Sequence, residues 1–273
     1  MVAVPDRQRV RAVLLDGDDM ILFERTRPGV PRYWATPGGG VDRQDANLLA
    51  ALYRELDEEL RAVVTPAVPL TFVDAQREDG RWQRQHLYAC RLVAMDVAGR
   101  YGAEFADPAK GTYDVVRVPF TAEAIGDLNM QPEGVGAYLR SAVDQVWQAA
   151  QDGRASYSVS FASGTSAPAL REALHTAYGL DPADVFIGPA EDLADAADVR
   201  ATVWIDPDAG DPAYGCELSA GDWLARATGV SELELATRLC RLAATTARVA
   251  DGPLHGWLVA ADGDYRRSHA LRP

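Results

Sequence analysis

Three consecutive glycines lead directly into a helix that carries a cluster of carboxylates. The helix is predicted from leucines at positions 49, 52, 56 and 60, which recur at helical spacing. On the same helix Glu55, Glu58 and Glu59 stand at i, i+3 and i+4, so they share one face while the leucines occupy another. One face of this helix therefore anchors it, and the other presents three oxygen ligands.

Three adjacent carboxylates repel one another, and a bound cation would relieve that repulsion. Oxygen donors of this kind favour magnesium, with manganese as an alternative. The competing interpretation is that residues 54–59 form a solvated helix face with ordinary ion pairs. The loop before the helix favours the metal, because the bare backbone at Gly39 and Gly40 can approach a phosphate and a helix N-terminus attracts an anion.

Together the loop and the helix resemble the Nudix box of the Nudix hydrolase family. The family pattern is G-x(5)-E-x(7)-R-E-U-x-E-E-x-G-U with U aliphatic, and Arg54-Glu55-Leu56-Asp57-Glu58-Glu59 matches its central block. The resemblance covers about residues 7–150. It implies an α/β fold, a Nudix-type α/β/α sandwich with a mixed sheet, and hydrolysis of nucleoside diphosphates linked to another group X.

Two positions depart from the family pattern. Counting five residues on from Gly39 gives Asp45, which is one methylene shorter than glutamate and is separated from Arg54 by eight residues instead of seven. Counting from Gly40 places Ala46 at the acidic position. The final glycine of the pattern is Arg61, so we expect the helix to end or continue without the usual left-handed cap.

The resemblance also implies a role for each polar residue of the helix. Glu55, Glu58 and Glu59 would hold magnesium. Arg54 would orient the glutamates by pairing with one of them or with Asp45.

The general base is expected to be Glu58 or Glu104. Glu104 stands in a loop that resembles the segment from which many Nudix enzymes supply an additional glutamate, and Asp107 and Asp114 are its rivals. The alternative for all three loop acids is an exposed residue without a catalytic role.

A nucleobase site is expected on the strand that follows. Trp82, Arg84 and His86 alternate onto one face, where Trp82 and His86 offer stacking and hydrogen bonds to a base. The alternative is that these side chains are packed or solvated. Trp34, just before the glycines, is expected to pack in the core.

The surrounding pattern predicts a strand-rich sheet around the first helix. An Asp-Gly turn joins the first two strands. The predicted strands cover 11–16, 20–25, 70–76 and 82–93, and a second helix covers 132–151.

The length of 273 residues, 48% of them hydrophobic, favours two domains. We expect a Nudix hydrolase-like domain over 1–150 and a second, smaller α+β domain of unknown function over 151–273, with the seam at 148–155. In the second domain the pattern predicts strands at 157–161, 201–205 and 214–218, helices at 168–178 and 231–249, and a hairpin of 255–261 and 265–270. No catalytic constellation is evident there.

Charge and cysteine content limit the partners. The formal net charge is −13, and neither half has a basic face suited to nucleic acid or an anionic membrane. Cys90, Cys216 and Cys240 are widely spaced, which is typical of reduced thiols in a cytoplasmic protein. No segment is long enough to span a bilayer. The expected partner is a nucleotide-type small molecule, and a homodimer is left open.

Two alternatives to the magnesium-dependent hydrolase remain. The altered spacing at Asp45 and the replacement at Arg61 are compatible with a catalytically weakened Nudix-fold module that senses nucleotides or binds proteins. Retention of all three glutamates favours the enzyme. A bifunctional enzyme with a second activity after Gly153 is the third alternative.

Overall fold

The chain divides into two compact units, one within Ala3–Arg154 and one within Ala155–Pro273. The computed structural model describes residues 5, 7–77, 79–102, 105, 107–153, 157–189, 192, 203–250 and 256–268.

A mixed sheet forms the centre of the first unit. Its strands are β1 (Arg7–Asp16), β2 (Asp19–Arg27), β3 (Val30–Ala35), β4 (Val63–Val64), β5 (Val68–Gln76), β6 (Trp82–Ala94) and β7 (Thr112–Pro119). The order is β3-β2-β1-β6-β4, with β5 also paired to β6 and β7 to β2. Only β1 and β6 run parallel among these described pairs, which confirms the mixed sheet.

Helices cover this sheet. They are α1 (Leu48–Leu60), α2 (Ala122–Gly126), α3 (Glu133–Ser141) and α4 (Val143–Asp152). Val13 and Leu15 of β1 join a buried core with residues of α3 and α4, and Trp34 packs against it as predicted. Val10, Ala12 and Leu14 alternate onto the other face and are also buried, and α1 contacts β1. The α/β/α sandwich is therefore confirmed.

The single helix predicted over 132–151 is wrong. The structure contains α3 and α4 instead, separated at Ala142, whose backbone has φ −121° and ψ 21°. Both helices still bury their apolar positions, including Val135, Leu139 and Val146, so the predicted spacing of core residues survives the break.

The ends of α1 are defined by two different caps. Asn47 accepts a hydrogen bond from the Ala50 N–H and begins the helix. Arg61 ends it in the left-handed region at φ 50°, ψ 40°, with its N–H donating to the Asp57 carbonyl. The prediction of an end without a left-handed cap is therefore wrong. The Arg61 guanidinium pairs with Asp57 at 2.8 Å and lies 5.5 Å from the Tyr101 ring centroid, contacts that help to hold this conformation.

The second unit is an α+β arrangement, as predicted. Its strands are β8 (Tyr157–Phe161), β9 (Val185–Ile187), β10 (Val203–Asp206), β11 (Cys216–Ala220), β12 (Ala247–Ala250), β13 (Gly256–Val259) and β14 (Tyr265–Ser268). They pair in the order β14-β13-β12-β8-β11-β10-β9. The described helices are α5 (Ala167–Tyr178), α6 (Asp222–Thr228) and α7 (Glu232–Ala243).

The long helix predicted over 231–249 is also wrong at its end. It stops at Ala243 because Ala244 adopts a left-handed conformation at φ 50°. The residues beyond form β12, which pairs with both β8 and β13. Backbone pairing at the centre of the sheet thus replaces further helical turns. In the described ranges, no helix has the length and apolar character that crossing a bilayer requires.

The left-handed cap at Arg61 can be tested with two variants that lose the same guanidinium. The free energy of unfolding of Arg61→Gly should be about 1 kcal/mol higher than that of Arg61→Ala, because only alanine places a Cβ in the left-handed region. Urea unfolding followed by circular dichroism measures the difference. Equal stability of the two variants would contradict the left-handed cap.

Candidate functional site

The glycine loop runs beside the first half of β1. The Val10 N–H donates to the Gly39 carbonyl at 3.0 Å, and the Ala12 N–H donates to the Pro37 carbonyl at 2.9 Å. Gly38 has φ 126°, and a Cβ there would collide with the Val10 carbonyl. Only glycine fits this close approach of two backbones.

Two glutamates of α1 lie against this loop. Glu55 and Glu59 are 8% and 5% exposed. The Glu59 carboxylate accepts a hydrogen bond from the Gly38 N–H at 2.7 Å. A Cβ on Gly39 would overlap the Glu55 carboxylate, so the absence of a side chain at Gly39 makes room for that acid.

One guanidinium joins the loop to the helix. Arg54 Nη1 donates to Glu55 Oε1 at 3.0 Å and to Glu58 Oε2 at 3.2 Å. Its Nη2 donates to the Gly40 carbonyl at 2.8 Å. Arg54 Nε and Nη2 each reach one oxygen of Asp45 at 3.0 Å, which is the bidentate geometry of a strong arginine–carboxylate pair. Arg54 thus pairs with Asp45 and with two of the glutamates at once.

Asp45 occupies the position that the altered spacing left open. Its side chain is 5% exposed and also accepts the Asp42 N–H at 2.8 Å. The hydrogen bonds from Arg54 are the main cause that lowers the pKa of Asp45, so the group remains an anion. The loop between Gly40 and α1 therefore brings the shorter acid to Arg54 despite the additional residue.

The carboxylates suit a hard divalent cation. Glu55, Glu58 and Glu59 offer only oxygen donors, and Gly39 leaves room for the Glu55 carboxylate beside the loop. Burial raises the pKa of Glu55 and the charge of Glu58 adds to this, while Arg54 opposes it. A cation would compensate this buried charge. Among the residues that the structure describes, no group of three or more His, Cys, Asp or Glu side chains is already arranged as a metal site.

The residues predicted to contact a nucleobase have partners within the sheet. His86 is 1% exposed and its Nε2 lies 2.9 Å from Gln8 Oε1. Arg84 forms an ion pair with Asp74 at 2.8 Å. Trp82 is partly buried at the start of β6. Contact of Trp82 and His86 with a base stays a prediction.

Two of the three candidate loop acids, Asp107 and Asp114, lie within the described residues. Glu104 lies outside the described residues. Asp107 accepts the Ala109 N–H at 3.0 Å, which caps a short turn, and Asp114 is exposed on β7. The choice between Glu58 and Glu104 as the base stays open.

Three polar residues beside the loop were not recognised from the sequence. Arg9 and Arg11 of β1 and Gln85 of β6 lie on the sheet face that continues into the core at Val13 and Leu87. The Arg11 guanidinium donates to the carbonyls of Thr36 and Gly38 at 3.1 and 2.8 Å. The sequence signal was present, since arginine alternates with other residues just before a buried apolar run.

The raised pKa of Glu55 predicts that its ionised carboxylate lowers the stability of the free protein at neutral pH. A carboxyl whose pKa is raised on folding contributes stability below its unfolded pKa and loses it as the pH rises through the folded pKa. In metal-free buffer, Glu55→Gln should therefore be more stable than the unsubstituted protein at pH 7, and the difference should vanish below pH 4.5, the ordinary pKa of a glutamate. Urea unfolding across this pH range measures it. A less stable variant at pH 7 would contradict the dominance of burial.

Comparison with known proteins identifies the first unit. The family model of the NUDIX domain matches residues 5–138. A search of curated proteins finds no match.

Solved structures with similarity include a NUDIX hydrolase from Nitrosomonas europaea (17% identity, 54% of this chain and 90% of that chain, TM-score 0.41). A MutT NUDIX hydrolase from Burkholderia pseudomallei aligns at 21% identity over 51% of this chain and 98% of that chain, with TM-score 0.37. A MutT protein from Methanosarcina mazei Go1 aligns at 16% identity over 54% and 97%, with TM-score 0.39. The family match does not depend on these alignments, and residues 5–138 of the chain therefore form a NUDIX domain.

Proposed function

We propose that this chain hydrolyses the diphosphate linkage of a nucleoside diphosphate derivative in a magnesium-dependent reaction. The observation that carries the proposal is the contact of one guanidinium, Arg54, with both Glu55 and Glu58 beside the glycine loop. The Asp45–Arg54 pair adds support, because it removes the altered spacing as an argument for a catalytically weakened module. Hydrolysis of nucleoside diphosphate derivatives is the general chemistry of the family.

Glu55, Glu58 and Glu59 would hold the metal, for which manganese is an alternative to magnesium. When bound, the ion would offset the negative charge of the diphosphate and lower the pKa of a water molecule. Glu58 is the described candidate for the base, because its side chain is 28% exposed and can reach a water, whereas Glu55 and Glu59 are more buried. Arg54 would keep Glu55 and Glu58 oriented.

The backbone at Gly39 and Gly40 would lie beside the phosphates of the substrate. Glu59 holds the Gly38 N–H, so the loop is fixed to the helix on which the carboxylates stand. Trp82 and His86 are proposed to contribute to the nucleobase site. The group X is left unassigned.

We further propose that the two compact units are separate domains, 1–150 and 151–273. The second unit is proposed to form a homodimer or to recruit a partner. Cys90, Cys216 and Cys240 are buried free thiols, which supports the proposed cytoplasmic location.

The hydrolase proposal can be tested with two substitutions on the same helix. Glu58→Gln should reduce turnover about 100-fold or more, because a positioned base contributes a factor of that order. Asp57→Asn is the matched control, since the Asp57 side chain is 45% exposed and pairs with Arg61 and Tyr101. Release of phosphate or nucleotide should be measured with magnesium, with manganese and without metal.

The substrates for this test are nucleoside triphosphates, dinucleoside polyphosphates, nucleotide sugars and ADP-ribose. Unchanged turnover in Glu58→Gln would reject the assigned role of Glu58. Absence of turnover across all four classes, with saturable nucleotide binding, would favour the sensing module.

The domain proposal predicts that a fragment of residues 1–153 folds and keeps the hydrolytic activity. Gly153 is a suitable end because it caps α4 in the left-handed conformation at φ 58°. Circular dichroism and the same product assay measure the outcome. A folded but inactive fragment would show that residues 154–273 contribute to the reaction.

A further inference from the structure

Arg9 stands out among the described arginines because part of its guanidinium is enclosed without an acceptor. Its Nε is enclosed by protein and makes no hydrogen bond, and within the described ranges Arg9 takes part in no ion pair. Burial is the main cause that lowers the pKa of Arg9, and Arg7 and Arg77 add to the effect. Arginine remains charged in proteins despite such a shift. An enclosed N–H without an acceptor is costly, so its retention needs an explanation.

Gln85 stands directly opposite Arg9 in the parallel pairing of β1 with β6. It is 0% exposed, and its Nε2 is a second enclosed donor without a hydrogen-bond partner. The Gln85 Oε1 accepts from Arg11 Nε at 2.9 Å. Because arginine only donates, this contact fixes the orientation of the amide and leaves Nε2 as the available donor.

The donors lie close to the carboxylates of α1. The charges of Glu55 and Glu59 act on both Arg9 and Arg11, and they raise the pKa of each against the effect of burial. Arg7 is also near, since its Nη2 lies 2.7 Å from the position that a Cβ on Gly40 would take. Arg9 pairs with Gly40 in an isolated β-bridge, and Arg11 contacts both Gln85 and the Gly38 carbonyl, so the unsatisfied donors border the glycine loop.

The donor groups of Arg9 and Gln85 determine which kind of ligand they can bind. Arg9 and Gln85 Nε2 offer donors only, so a group that binds them must supply acceptors. A neutral carbonyl would satisfy the N–H groups but leave the guanidinium charge uncompensated, whereas a phosphate oxygen does both. Once Glu55 and Glu59 are neutralised by a cation, their compensation of Arg9 is lost as well. The need for an anion is then greatest.

We propose that Arg9 and Gln85 bind an anionic phosphate group of the substrate, next to the linkage served by the α1 carboxylates, with Arg11 as the residue that orients Gln85. This inference rests on the proposed function and deepens it. It assigns these donors to the phosphate chain and not to the nucleobase. Arg9 and Gln85 are thus substrate-binding residues, and Arg11 is a positioning residue.

Binding of methylenediphosphonate, a diphosphate analogue that cannot be hydrolysed, tests the inference without turnover. Calorimetric titration of the full chain should be done with excess magnesium and again with a chelator. Arg9→Met should weaken binding about 10- to 100-fold, the usual effect of removing a charged hydrogen-bond partner, and Gln85→Met should weaken it less. Arg117→Met is the control, because Arg117 pairs with Asp16 on the exposed part of β7.

Thermal unfolding without ligand separates a binding role from a structural one. Arg9→Met should melt at the same temperature as the unsubstituted protein or higher, because it removes an enclosed donor that has no acceptor. A lower melting temperature of Arg9→Met, together with unchanged binding by Gln85→Met, would overturn the proposal. So would unchanged binding by Arg9→Met, or no binding by the unsubstituted protein.

Titration with uridine and guanosine distinguishes a phosphate from a neutral carbonyl. Both substitutions should leave nucleoside binding unchanged, and loss of nucleoside binding alone would overturn the assignment to phosphate. Arg9-dependent binding of methylenediphosphonate without hydrolysis of any substrate would support this inference and reject the proposed function. Hydrolysis of a substrate, together with methylenediphosphonate binding that does not depend on Arg9, would support the proposed function and reject this inference.

Discussion

The Arg54 guanidinium is the interaction on which the site depends. It donates hydrogen bonds to four groups from two segments, namely Asp45 and the Gly40 carbonyl in the loop and two glutamates on α1. Its side chain is 20% exposed, so water weakens these contacts less than at an open surface. Hydrogen bonds to charged groups contribute about 1.5 to 3 kcal/mol each in favourable cases. The loop and the helix are therefore held as one unit before any ligand binds.

Both faces of β1 and β6 carry enclosed polar side chains. On one face His86 Nε2 lies 2.9 Å from Gln8 Oε1 and Arg84 pairs with Asp74. On the other face Arg9 and Gln85 keep enclosed donors without acceptors. In the proposed site, a phosphate would supply the acceptors that Arg9 and Gln85 lack.

The sequence predicted what depends on spacing along the chain. The α1 carboxylates, the glycine loop, the mixed sheet and the α+β second unit follow from local patterns. Contacts that arise only in the folded chain were not predictable in the same way. Arg61 takes a left-handed cap beside Asp57 and Tyr101, and the pairing of β12 ends the helix before it. Arg54 was expected to choose between Asp45 and a glutamate, but its fork reaches both.

The site contains buried acidic and buried basic side chains, and the charge of neither kind is fully compensated. Burial raises the pKa of Glu55, and it lowers the pKa of Arg11 to about 9. The fields of these opposite charges offset part of each other's cost. A cation on the carboxylates together with an anion on the guanidinium groups would replace this partial compensation with direct contacts. Such a site would favour binding of the cation and the anion together. Either ion alone would neutralise one set of charges, and the opposite set would then lose its compensation. In the proposed site, the cost of burial in the free protein would become a source of coupling between metal and phosphate.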